Sequence, residues 1–204
     1  MPDLTLFHTA EVHVASFDAL APQALLAHVV RPDWLTRAQT GMTAELRQEI
    51  SAAIEATPGP VLCSCTTIGA VAEMAGATRI DWPMLQRAAE IGGPVMMVYC
   101  LDSTRAPSTA LLERAFAERG RAAEIRPLPL PDLWPHFIEG DTPLFHAKIA
   151  TQVETSLALA PDTSCVVLAQ ASMAGAKDLL QHCTALPVLA SPAIAIATLL
   201  PLRS

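Results

Sequence analysis

Two segments of this chain repeat one pattern of residue types, and that repeat limits the folds open to it. The first runs Val61-Leu62-Cys63-Ser64-Cys65-Thr66-Thr67-Ile68-Gly69-Ala70; the second runs Val167-Leu168-Ala169-Gln170-Ala171-Ser172-Met173-Ala174-Gly175-Ala176. With Cys65 set against Gln170, each has a short apolar lead-in and a hydroxyl two places on (Thr67, Ser172). One bulky apolar residue and a pair of small ones follow. A short apolar run closing on small polar residues ahead of a helical pattern is the end of a buried strand entering a helix. Two such junctions imply two related half-domains, one offering a thiol and the other an amide.

The rest of the chain alternates in the same way. Strands are expected at Leu4–His8, His28–Val30, Pro60–Ser64, Val95–Cys100, Ala123–Leu128, Cys165–Ala169 and Val188–Leu189. Helices are expected at Ser16–Ala27 with Ser16 as N-cap, Thr43–Ala56 capped by Thr43, Thr67–Ala75 and Trp82–Ile91. Further helices are expected at Ser108–Glu118, Thr142–Leu159 with Pro143 in the first turn, Ala174–His182 and Pro192–Leu199. Asp81 reads as a cap for the helix at Trp82. A Pro-rich loop follows the strand ending at Leu128. Continuous apolar strands alternating with helices define an α/β fold with parallel sheets covered on both faces. Hydrophobic residues make up 51% of the chain but aromatics only 4%, which suits closely packed small-aliphatic layers.

Charge and motifs exclude several classes. The net charge is −7 with no Lys/Arg cluster, so nucleic acid is not an expected partner. No apolar run reaches the roughly 18 residues a membrane span needs. Asp3 near the start argues against a signal peptide. Five cysteines in no regular framework fit a reducing cytoplasm. No Cys/His spacing matches a metal site, and no GxGxxG or P-loop indicates a nucleotide.

In parallel α/β sheets ligands bind at the carboxyl ends of the strands. The residues there are His8-Thr9, Cys65-Thr66-Thr67, Asp102-Ser103-Thr104 and Gln170-Ala171-Ser172, nearly all small and able to hydrogen-bond. Cys65 is the candidate nucleophile or general acid/base. Free N–H groups and the helix dipole at its junction are expected to lower its pKa. Thr66 and Thr67 are candidates for holding a carboxylate, and the Gln170-Ala171-Ser172 junction for a second anion cradle. His8 reads as a proton shuttle, a carboxylate donor or a structural histidine. Thr9 is a further candidate substrate contact, and Ser103 and Thr104 read either as substrate contacts or as caps of a turn. Glu11 and His13 read as solvated. Cys63, Cys100, Cys165 and Cys183 read as packing residues, and His28, His136, His146 and His182 carry no distinguishing pattern.

At these residues the chain resembles the aspartate/glutamate/hydantoin racemase superfamily, which also includes maleate isomerase and arylmalonate decarboxylase. Cys65-Thr66-Thr67 is placed like the family's first Cys-Asn/Thr-Thr/Ser motif, and Val166 to Gly175 like its second apolar-strand-Cys-small-Gly motif. Pro187-Val188-Leu189-Ala190-Ser191-Pro192 is placed like its late strand and final helix. The resemblance implies two Rossmann-like lobes with parallel sheets related by a pseudo-twofold, residues 1–92 plus 187–204 forming the first and 93–186 the second, with the site in the cleft between them. It implies cofactor-independent chemistry on a small carboxylic acid, with a homo-oligomer compatible. Members with two cysteines use them as an acid/base pair. Here Gln170 takes the second cysteine's place, and a neutral carboxamide cannot relay a proton as a thiol does. Racemase or isomerase chemistry through Cys65 alone, decarboxylation with Cys65 as proton donor, or carboxylate binding without catalysis are the readings that follow.

Overall fold

The structure, a computed structural model, describes residues 1–200. Its contacts divide the chain into two compact units: Met1–Trp82 with the chain from Pro192 onward, and Pro83–Ser191. The expected assignment of 201–204 to the first lobe lies outside the described residues.

The first unit contains β1 (Leu4–His8), α1 (His13–Leu20), β2 (Leu26–Val30), α2 (Pro32–Thr40), α3 (Ala44–Glu55), β3 (Val61–Cys63), α4 (Thr66–Met74) and β4 (Thr78–Arg79). Helix α5 (Asp81–Ile91) starts there. The second contains β5 (Pro94–Tyr99), α6 (Asp102–Ala117), β6 (Glu124–Pro129), α7 (Trp134–Ile138), α8 (Thr142–Leu159), β7 (Cys165–Leu168), α9 (Ala176–Gln181) and β8 (Val188–Ala190). Helix α10 (Ser191–Leu199) follows β8.

All strand pairs are parallel. The sheets have the orders β2-β1-β3-β4 and β6-β5-β7-β8. Each unit thus places its second strand on one side of its first and its third strand on the other. The chain reverses direction across the sheet between β1 and β3, and again between β5 and β7. At such a switch point the connections diverge and leave a crevice outside the carboxyl ends of the strands. The expected α/β class with two parallel-sheet lobes is what the structure has.

Packing follows the sequence pattern. In α3, Leu46, Ile50 and Ile54 are buried four residues apart, and the Thr43 hydroxyl caps the helix by accepting from Leu46 N–H at 3.2 Å. They pack with Phe7, Trp34, Cys63, Cys65, Ile68 and Val71 in one cluster, within which Phe7 stacks on Trp34 with ring centroids 5.8 Å apart. In α8 the buried residues Phe145, Ile149 and Val153 repeat the same spacing. There Asp141 caps Leu144 N–H and Pro143 sits in the first turn.

Several boundaries differ from the sequence reading. The first helix ends at Leu20, before Pro22, which lacks an N–H and clashes with the preceding turn. Ser16 is therefore inside α1, its hydroxyl donating to Val12 O at 3.3 Å, and β2 begins at Leu26. Pro32 opens α2 as its first residue, where proline is tolerated. Helix α6 begins at Asp102 and carries Pro107 internally. The Pro-rich loop contains α7, and the two-residue β4 was not expected. The second junction opens into a 3-10 turn at Ala171–Met173, with α9 starting only at Ala176.

Candidate active site

Each switch point forms a corner. In the first unit the β1–β3 register pairs Thr5 with Val61, Leu6 with Leu62 and Phe7 with Cys63. The ladder runs one bond further, Ser64 N–H donating to Phe7 O at 3.0 Å. Extending the register sets His8 beside Ser64 and Thr9 beside Cys65. Successive side chains on a strand point to opposite faces. His8 and Ser64 accordingly share one face, and Thr9 and Cys65 the other.

Cys65 is the N-cap of α4, with extended backbone (φ −105°, ψ 114°). It is buried, at 8% exposure. Its sulfur is reached by the Thr9 hydroxyl, the Ile68 and Thr67 backbone N–H groups and the Thr67 hydroxyl. The sequence reading expected these donors and the dipole to lower the thiol's pKa. The net direction is the opposite. Burial raises it above its ordinary value, and the four donors oppose that rise without overcoming it. The resting group is a neutral thiol held where a thiolate would be hydrogen-bonded. Thr66 is buried in the first turn of α4, and both Thr66 and Thr67 are engaged.

On the other face His8 is fully buried. Its Nδ1 lies 2.7 Å from Ser64 Oγ and its Nε2 lies 2.9 Å from His28 Nδ1. His28 Nε2 lies 3.1 Å from Asp18 Oδ1. Burial first, then the nearby His13 and His28, pushes the His8 pKa down to about 3. Both ring nitrogens of His8 are thus occupied within the unit. His13, expected to be solvated, is partly buried, its ring centroid 6.1 Å from that of His8. Burial lowers its pKa to about 4. Beneath the corner, Arg79 and Asp81 form a bidentate pair at 2.9 and 2.8 Å, both nearly excluded from solvent. Asp81, expected to cap the helix at Trp82, is the first residue of α5 and carries this ion pair. A Cβ on Gly69 would lie 3.0 Å from Arg79 Nε, so the glycine lets α4 lie against the guanidinium.

In the second unit Gln170 does for β5 and β7 what the His8–Ser64 pair does for β1 and β3. Its Oε1 accepts from Cys100 N–H at 2.6 Å and Leu101 N–H at 3.0 Å, satisfying the amides that leave the end of β5. Its carboxamide N–H pair takes no part in that tie. Ser172 is buried and its Oγ has no hydrogen-bond partner among the described residues. Its carbonyl accepts from His146 Nε2 at 2.9 Å. A Cβ on Gly175 would sit 2.4 Å from the His146 ring, so glycine is what admits the imidazole. The expected second anion cradle is reduced here, because the 3-10 turn engages Met173 N–H with Gln170 O and Ala174 N–H with Ala171 O. Ala171 is half-buried; Thr104 is buried in the first turn of α6, and Ser103 beside it is engaged.

Burial pushes the thiols of Cys100 and Cys165 up to about 12 and 11, and that of Cys63 higher still. Cys183, expected to pack, is exposed near the end of α9. His28, Asp18 and His146 were not singled out from sequence. The usable signal for His28 was its place on the strand beside His8; Asp18 and His146 lie on helices whose facing could not be read. Among the described residues no group of three or more His, Cys, Asp or Glu is arranged to hold a metal ion, and no helix is long and apolar enough to cross a membrane.

No protein-family model and no curated protein matches the chain. Solved structures do match. Allantoin racemase from Klebsiella pneumoniae is similar at 18% identity over 96% of this chain and 85% of its own, with a TM-score of 0.63. Glutamate racemase from Francisella tularensis, in complex with D-glutamate, is similar at 14% identity over 96% and 78%, TM-score 0.62. Arylmalonate decarboxylase is similar at 12% identity over 98% and 91%, TM-score 0.61. The chain has the two-lobed α/β fold of these racemases and this decarboxylase, the fold the sequence resemblance pointed to.

Proposed function

We propose that this chain is a cofactor-independent enzyme of the racemase/isomerase type acting on a small carboxylic acid through one cysteine, Cys65. The observation that carries this reading is the setting of that thiol: a buried sulfur at a strand switch point, ringed by the Thr9 hydroxyl and the Thr67 and Ile68 donors. Such a ring stabilises sulfur when it bears charge, as it must after giving up a proton to carbon. Thr9, Thr66, Thr67, Ser103, Thr104, Ala171 and Ser172 are the proposed contacts for carboxylate or oxyanion. Gln170, in the sequence place of a second cysteine, donates hydrogen bonds through its carboxamide nitrogen and does not titrate. His8 assists by holding Ser64.

A second reading is favoured by the raised thiol pKa. A group protonated at rest is poised to donate, which suits protonation of an enolate left by decarboxylation; a thiol that starts by abstracting a proton must first lose its own. One experiment tests both. Wild type and Cys65→Ser are incubated in deuterated water with amino, hydroxy and substituted malonic acids, followed by NMR. Deuterium entry at the α-carbon with Cys65-dependent stereochemical scrambling supports the isomerase. Carbon dioxide release from malonates alone supports the lyase. Wild type inert towards every acid overturns catalysis and leaves a carboxylate-binding protein.

A further inference from the structure

The His8–Ser64 link is the inner end of a longer hydrogen-bonded chain whose outer members the proposed chemistry does not use. It runs from Asp18, 58% exposed on α1, through His28, 13% exposed on β2, to His8 and then Ser64, both buried. Its direction follows from its outer end. A carboxylate only accepts, so His28 Nε2–H donates to it. Where His28 carries its ring proton on Nε2 alone, its Nδ1 accepts from His8 Nε2–H, and His8 Nδ1 accepts the Ser64 hydroxyl. The alternative acceptor for that hydroxyl, Phe7 O, is farther, at 3.2 Å against 2.7 Å. The His8 ring is also packed at 5.2 Å from Phe17 and 6.1 Å from His13, so it cannot turn without losing both of its bonds.

We propose that Asp18, His28 and His8 are positioning residues for the Cys65 thiol, acting through Ser64 and Thr9. Beyond Phe7 and Cys63 no strand ladder holds β1 to β3 except the bond from Ser64 N–H. What closes the two strand ends is a pair of side-chain ties, His8 to Ser64 on one face and Thr9 to Cys65 on the other. The residues of each tie adjoin those of the next in sequence. Loosening the first therefore displaces the second, and the sulfur loses its only donor from β1's end. Asp18 sets how firmly the first tie is held, from a site that touches neither Thr9 nor Cys65.

The inference concerns the thiol the proposed function uses, but it is read without turnover, so the two fail separately. The full chain is alkylated with iodoacetamide from pH 7 to 10 and the Cys65 peptide quantified by mass spectrometry. The Cys65 13Cβ resonance is followed over the same range as a second readout. Asp18→Asn and His28→Gln are expected to slow Cys65 alkylation at pH 8 three- to tenfold and move its midpoint up, as Thr9→Val does, and Asp18→Glu to restore it. In wild type, 15N NMR is expected to show His8 as the Nε2–H tautomer. Asp18 lies exposed on its helix, so Asp18→Asn leaves the fold intact. An unchanged Cys65 midpoint in Asp18→Asn and His28→Gln, or a His8 protonated on Nδ1, overturns the proposal.

Discussion

The buried neutral imidazole of His8 makes the protein acid-sensitive from about pH 6.5 downward, so that the loss begins above the range where carboxylates titrate. In the unfolded chain His8 takes up a proton near 6.5; in the folded chain burial and two neighbouring histidines hold that to about 3. The unfolded state therefore binds more protons between those values, and stability falls as pH falls. The contribution is fully present above 6.5 and is lost progressively below it. At about 1.4 kcal/mol per pH unit the ceiling is about 5 kcal/mol, and the share lost between pH 7 and pH 5 is about 2 kcal/mol. His13, lowered to about 4 by burial, adds in the same direction. Urea midpoints at the two pH values, followed by tryptophan fluorescence, give the loss for wild type. His8→Gln keeps a donor and an acceptor in place without a titrating group. Its loss over the same interval is expected to be about 2 kcal/mol smaller, whatever its absolute stability. Equal losses in the two proteins would refute a proton-excluding site for His8.

Two further outcomes follow from removing one member of a buried hydrogen-bonded pair. Gln170→Leu strips the acceptor from Cys100 and Leu101 N–H and is expected to cost about 1–3 kcal/mol in urea unfolding, with Gln170→Glu losing less. Arg79→Met leaves the Asp81 carboxylate buried and unpaired and is expected to cost about 3–5 kcal/mol; the double change Arg79→Met with Asp81→Leu is expected to recover most of it, and failure to recover would mean that the pair does more than neutralise itself.

What was legible in the sequence was what depends on short-range pattern. The runs Leu4–His8 and Val95–Cys100 read as buried strands because they carry no alternation towards water, and the structure makes both of them central in their sheets. Thr43 as a cap and Pro143 as a first-turn residue mark helix starts by chemistry local to one turn. The errors also have local causes. Pro22 stops the first helix at Leu20, a signal the expected span to Ala27 passed over. Pro32, read as the close of a strand, sits in the first turn of α2. The helix expected from Ser108 begins at Asp102 and is carried past Pro107 by the buried residues Thr104, Ser108, Leu111 and Leu112. The site was half legible. The strand-end positions of Cys65 and Gln170 came from the repeat, but Thr9 is far from Cys65 in sequence, and the Cys100 and Leu101 amides lie 70 and 69 residues from Gln170; only the sheet register brings them together.

The repeat itself carries a further consequence. In each unit one polar side chain ties the ends of the first and third strands: His8 reaches Ser64 in the first unit, and Gln170 reaches the Cys100 and Leu101 amides in the second. In the first unit that tie comes from the residue before the cysteine, which leaves the sulfur on the opposite face with its own donors. In the second, the residue at the cysteine's repeat position is itself the tie. A cysteine at 170 could not do what Gln170 does, because a thiol is a weak acceptor and too short to serve two main-chain N–H groups at 2.6 and 3.0 Å. The carboxamide is therefore a structural commitment of that corner, and restoring a two-thiol arrangement by Gln170→Cys would open the end of β5 before it added a second acid/base. The asymmetry between thiol and amide is built into how each corner is closed, which is why the chemistry proposed for this chain rests on Cys65 alone.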